Sequence, residues 1–97
     1  MFAVVFEYSV APENQAAFDT AVTAFRSLRE QQPGFCGTIE VALGAGRIAV
    51  ILLWNSQEAR QATLRALARE HDHASSLFSA QMIGSGEVVL NTISARA

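Results

Sequence analysis

The 97-residue sequence contains no lysine, one cysteine and two prolines, and only 16 % of it is charged, where soluble domains carry about 25 %. Seven arginines against nine acidic residues leave a net charge of −2 with both histidines neutral. The arginines are scattered from Arg26 to Arg96, which gives no basic stripe for a phosphate backbone and excludes a nucleic-acid binder. The longest apolar run, Ile48 to Trp54, spans seven residues, far below the roughly 20 that cross a bilayer. The apolar start lacks a positively charged leader and is interrupted by Glu7, so a soluble, unexported chain is expected. Cys36 has no partner for an internal disulfide, and one cysteine with two histidines lacks metal-ligand spacing. The lone thiol fits a reducing cytoplasm.

What is abundant is apolar: 51 % of the residues. The length corresponds to one domain, and a domain this small buries only a little over 60 % of the surface its unfolded chain exposes. The surplus predicts an oligomer in which association covers a face that the monomer leaves open.

Hydrophobic periodicity divides the chain cleanly. Phe2 to Val10 alternates, with Phe2, Val4, Phe6 and Tyr8 on one face and Ala3, Val5, Glu7 and Ser9 on the other, as a strand requires. Pro12 and Glu13 suit the start of a helix. Its stripe of Phe18, Ala21, Val22, Phe25 and Leu28 faces a core, and the helix stops before Pro33-Gly34. Phe35 to Leu43 and Arg47 to Asn55 read as a hairpin around Gly44-Ala45-Gly46. The second of these strands is apolar on both faces, which predicts a central position. Asn55 as N-cap with Glu58 three residues on opens a helix through Arg69, with Leu64 and Leu67 inward. A further helical stretch, about Glu70 to Gln81, is followed by a strand over Met82 to Ile93, in which Gly84 and Gly86 mark a bulge. The order β-α-β-β-α-α-β defines an α+β, ferredoxin-like antiparallel sheet with helices on one face.

The opening MFAVVFEYSVAPE, the helix-ending PGF at Pro33 to Phe35, the strand-to-helix segment LLWNSQEA at Leu52 to Ala59 and the closing strand after Met82 resemble the antibiotic-biosynthesis monooxygenase domain of the dimeric α+β barrels. The resemblance covers nearly the whole chain. It implies two ferredoxin-like units pairing their sheets as a homodimer, each with a pocket between its sheet and its own helices. Several members of the family oxidise anthrones or quinols with dioxygen and no metal or flavin, others degrade haem, and others have no known activity. In the cofactor-free chemistry a phenol-like substrate is deprotonated and its carbanion reduces oxygen, so the protein supplies an apolar cavity, orientation and a group that moves a proton.

Six residues are candidates for such a site. Trp54, at the end of the third strand, either stacks on a planar substrate and donates a hydrogen bond or fills the core under a helix. Asn55 either donates to a substrate carbonyl or serves as a cap. His71 and His73 are the two side chains that ordinarily titrate near neutrality; on a continuous helix His71 falls on the apolar stripe and His73 points away. Tyr8 and Phe6 share one strand face, where Tyr8 offers a hydroxyl to a ligand or covers the sheet end. Glu7, Glu40 and Glu87 lie in strands, where an unpaired buried carboxylate is costly, so they are expected at exposed edges or paired with Arg47 or Arg96. Arg60, Arg65 and Arg69 are expected on the solvated face of the second helix, and Cys36 as a buried, inert thiol.

A resemblance to the haem-degrading members places His73 on their iron-ligand position. Their tryptophan, however, becomes Ala62 and their first-strand asparagine becomes Phe6, so two of three positions depart and haem degradation is disfavoured. The expected function is a cofactor-independent monooxygenase of a planar aromatic molecule, with His71 and His73 as proton carriers and Trp54, Tyr8, Phe6 and Asn55 at the substrate. The alternative is a ligand-binding or interaction module on the same fold with no chemistry of its own.

Overall fold

The computed structural model describes residues 1–89 and Thr92. Phe2–Ser9 form β1, Gln15–Glu30 α1, Phe35–Gly44 β2, Arg47–Trp54 β3, Gln57–Ala66 α2, Ala68–Ser75 α3 and Ser79–Glu87 β4. All pairings are antiparallel in the order β2-β3-β1-β4. The doubly apolar strand is thus central, as its composition requires, and the fold is the α+β ferredoxin-like one.

Alternation on β1 decides what faces the helices. Phe2 and Val4 are buried, and their cross-strand partners Trp54 and Leu52 of β3 share their face. With Phe6, Phe35 and Ala59 they form one cluster. Val4 within it and Val50 on β3 are among the most buried side chains, 1 % and 2 % exposed. The opposite sheet face carries Val5, Ile51, Leu53, Ile39 and Val41 in neighbouring rows. No helix among the described residues covers it: Ile39 and Val41 on β2 are 41 % and 48 % exposed.

A turn of 3-10 helix over Pro12–Asn14 precedes α1, with Pro12 at its start. The hairpin turns through Gly44, Ala45 and Gly46, all at positive φ, which matches the twist of the strands it joins. At the other end of β3, Ser56 rather than Asn55 caps α2. Its hydroxyl accepts from the Ala59 N–H at 3.1 Å, whereas Asn55 spends its own N–H on the Gly34 carbonyl at 2.7 Å.

The second helical region breaks at Leu67, whose φ of −113° and ψ of 25° end α2 and start α3. Helix α3 stops at Ser75, well short of Gln81, because the Ser76 hydroxyl donates to the His73 carbonyl at 2.6 Å and the residues from Ser79 onward pair with β1 instead. The last strand therefore begins three residues before Met82. A bulge falls at Ile83, beside Gly84: Val5 pairs with Gly84 and Phe6 with Met82. The expected continuation of this strand to Ile93 extends beyond the described residues, as does Arg96.

The strand carboxylates are paired. Glu7 accepts from Arg47 at 3.0 Å, Glu40 from Arg26 of α1, and Glu87 lies 3.5 Å from the terminal amine of Met1. Cys36 is exposed rather than buried. It falls in the register shift between Phe35 and Gly37 on an edge strand, so no cross-strand neighbour covers it. Among the described residues no helix is long and apolar enough to cross a membrane.

Gly34 joins α1 to the sheet at a φ of +86°, and a Cβ there would lie 2.6 Å from both Asn55 Oδ1 and Ala59 Cβ. Gly34→Ala should therefore lose about 2 kcal/mol or more in urea unfolding, from strained backbone and overpacking together. Gly84→Ala, where a Cβ meets open space, should stay within about 0.5 kcal/mol; equal effects would contradict the assignment of the clash.

Candidate functional site

The helices do not close onto the sheet. Between them lies a cavity of about 480 Å³, within the roughly 300–1,000 Å³ typical of small-molecule sites. Its sheet wall is the inward face of the two central strands: Val4, Phe6 and Tyr8 from β1, Val50, Leu52 and Trp54 from β3. The opposite wall comes from α1, where Phe18, Val22, Phe25 and Arg29 recur at helical spacing, and from Thr63, Leu64, His71, Ala74 and Phe78.

Aromatic rings line both ends. Tyr8, Phe18 and Phe78 form one cluster, with ring centroids 5.4–5.5 Å apart. The other end is a continuous stack. Trp54 meets Phe35 edge to face at 5.2 Å, the Arg29 guanidinium lies 5.5 Å from the centroids of both Phe35 and Phe25, and Phe25 meets His71 at 5.9 Å. Two donors in this stack are sealed from water and have no acceptor among the described residues, Trp54 Nε1 and Arg29 Nε. Such a group ordinarily costs about 1–3 kcal/mol.

Arg29 is only 7 % exposed. Its one hydrogen bond runs from Nη2 to the Thr38 hydroxyl at 3.4 Å, and it makes no ion pair among the described residues. Burial pulls this guanidinium below the usual arginine range, and the neighbouring Arg26 charge acts in the same direction. Arg26 itself is neutralised by Glu40, and the pair also borders a second hollow beside Tyr8 and Asp19. Burial, and then the Glu40 carboxylate, push the Tyr8 hydroxyl above the usual phenol range. At neutral pH Tyr8 is therefore a hydrogen-bond donor, not a base.

Of the six sequence candidates, Phe6, Tyr8, Trp54 and His71 line the cavity. Trp54 belongs to the core cluster and the cavity wall at once. His71 is half-buried, with Nδ1 3.5 Å from the exposed Asp72 carboxylate. His73 and Asn55 are exposed and do not border the cavity. Two residues on a helix turn through about 200°, which carries His73 away from the face that His71 occupies. The Asn55 side chain rests against Gly34.

Arg29, Arg26, Arg60 and Thr63 also line the cavity. Arg60 is half-buried there rather than on the solvated face of α2. One signal in the sequence marks Arg29: it stands four residues after Phe25 and seven after Val22, on the apolar stripe, where Leu28 is 37 % exposed.

Comparison with known proteins agrees with this geometry. A model of the antibiotic biosynthesis monooxygenase family matches residues 1–74. The chain belongs to that family. Among solved structures it is similar to a mutant form of SnoaB of Streptomyces nogalater, a cofactor-independent oxygenase, at 15 % identity over 93 % of this chain and 94 % of that one, with a TM-score of 0.77. A mutant form of MhuD, solved with two manganese protoporphyrin IX molecules per active site, aligns at 23 % identity over 97 % of this chain and all of its own, with a TM-score of 0.69. The NE2512 protein of Nitrosomonas europaea, of unknown function, aligns at 18 % identity over 98 % and 95 %, with a TM-score of 0.62. A search of curated protein sequences finds no match. At these identities the structural likeness establishes the fold alone.

If Arg29 is held for function rather than stability, Arg29→Met should fold at least as stably as the parent, by zero to about 2 kcal/mol in thermal unfolding, because an apolar side chain of similar length removes a desolvated charge that has no counter-ion among the described residues. A loss of more than about 2 kcal/mol would show instead that the guanidinium holds Phe25 and Phe35 together.

Proposed function

We propose that this chain is a cofactor-independent monooxygenase of a planar, electron-rich aromatic molecule, acting as a homodimer paired through the outer sheet faces. The observation that carries the reading is the open, mainly apolar cavity with an imidazole on its wall. A space filled by side chains would have favoured a module without chemistry. Family membership supports the reaction class.

The roles follow from chemistry and position. Trp54 and Phe6 flank the substrate rings. His71 takes the proton from the reacting carbon, and in this reading it acts rather than His73 because it is the histidine on the cavity wall. The carbanion so formed reduces dioxygen. One oxygen atom bonds to that carbon, the other leaves as water, and a methylene becomes a ketone with the loss of two hydrogens. Tyr8, held as a neutral phenol, donates a hydrogen bond to negative charge on the substrate oxygen. The cavity keeps the carbanion from bulk water. The expected haem-ligand position, His73, lies off the cavity and Ala62 is exposed, which disfavours haem degradation. An exposed free thiol at Cys36 is compatible with a reducing cytoplasm.

Two measurements test this. Oxygen uptake with a panel of anthrones and quinols should exceed buffer, and His71→Ala should lower it about 100-fold or more while His73→Ala changes it by no more than about twofold. No uptake above buffer across the panel would exclude the enzymatic reading. Sedimentation velocity at micromolar concentration should show a dimer. Val41→Glu should convert it to a folded monomer, since a charge at this exposed position costs an isolated chain no more than about 0.5 kcal/mol. A well-folded parent monomer would refute the pairing.

A further inference from the structure

The charges around the cavity do not match those of the chain. Arg26, Arg29 and Arg60 line it against a single carboxylate, Glu40, a surplus of two positive charges in a chain whose net charge is −2. Glu40 is already engaged by Arg26. Among the described residues no carboxylate is left on the cavity wall for Arg29.

Arg29 is also the one cation of the three that is buried. Among the described residues, Nη2 reaches a neutral hydroxyl at 3.4 Å, Nε has no partner, and Nη1 has no protein acceptor. Stacking on Phe25 and Phe35 at 5.5 Å offsets part of the desolvation, but rings accept no hydrogen bond of comparable strength. A guanidinium is built for planar, two-pronged recognition of an oxyanion. The surrounding walls, Phe6, Tyr8, Phe18, Phe25, Trp54 and Phe78, suit the flat body of such a ligand.

We infer that the cavity selects planar aromatic molecules that carry a fixed anionic group, a carboxylate or its equivalent, and that Arg29 receives that group. The inference rests on the cavity's being a ligand site, and it narrows the substrate class to aromatic acids. Arg29 is then a specificity residue, standing beside Phe25, the same ring that His71 meets. Anchoring the acid at Arg29 fixes which carbon of the ring system lies nearest the imidazole. Burial lowers the Arg29 guanidinium from the usual arginine range, yet an arginine keeps its charge at neutral pH, so the anchor is present there.

The test uses two fluorescent probes with the same ring system, 1-anilinonaphthalene-8-sulfonate and uncharged N-phenyl-1-naphthylamine. Titrations are followed by probe emission and by the Trp54 indole N–H resonance in nitrogen-15 spectra. The parent protein should bind the sulfonate at least about tenfold more tightly than the amine, and both should shift the Trp54 resonance. Arg29→Met should bring the two affinities within about twofold by weakening the sulfonate alone. Arg29→Gln, uncharged but still a donor, should do the same and serves if the methionine variant does not fold. Equal affinities in the parent, or a preference that survives in either folded variant, would overturn the role of Arg29 and leave the ligand site standing. If neither probe binds or moves the Trp54 resonance, the ligand-site reading falls with it.

Discussion

One close approach, the Gly34 backbone lying against Asn55 and Ala59, fixes the geometry on which the site depends. It ties the start of β2 to the point where β3 gives way to α2. The N–H of Asn55 donates to the Gly34 carbonyl, which leaves Ser56 to cap the helix. Phe35 and Trp54, the paired residues on either side of this junction, then meet edge to face. Trp54 lines that end of the cavity, and Phe35 behind it carries the Arg29 guanidinium. A side chain at position 34 would press on Asn55 and on Ala59 in the first turn of α2.

The sheet uses its two faces for different ends. Toward the helices, the bulky side chains stop short of filling the space, and the gap is bordered by rings and by guanidinium groups whose long stems reach in from α1 and α2. Away from the helices, the rows of Val5, Ile51 and Ile39 carry no covering layer among the described residues. The shortage of charge that marks the composition is therefore not spread evenly. The outward face has few charged side chains, whereas three of the seven arginines border the cavity.

Much of the fold is legible in the sequence because strand alternation and helix spacing are set by burial, and burial dominates here. Phe2, Val4, Phe6 and Tyr8 share a face because a two-residue period permits nothing else. The cap of α2 falls one residue beyond the expected Asn55 because asparagine and serine are equally good caps in isolation, and the choice turns on a hydrogen bond across the junction to Gly34. Helix α3 is shorter than its pattern suggests because pairing with β1 is a long-range gain that local periodicity does not contain. In the site, Phe6, Tyr8, Trp54 and His71 stand out as unusual residues on apolar faces. Arg29 is marked only by its place on the apolar stripe of α1, and an arginine near a helix end is ordinarily read as the helix reaching solvent. Here a second ring, from Phe35 on another element, closes over it.

The chain has a single tryptophan and a single tyrosine, and both border the same cavity. Trp54 pairs with Phe2 at one end of β1, and Tyr8 lies six residues further along that strand, roughly 20 Å away. The two chromophores thus stand at opposite ends of the binding space with no others to obscure them. The protein's tyrosine and tryptophan absorption and emission therefore report on that one space from both of its ends, and a ligand seated there touches both reporters.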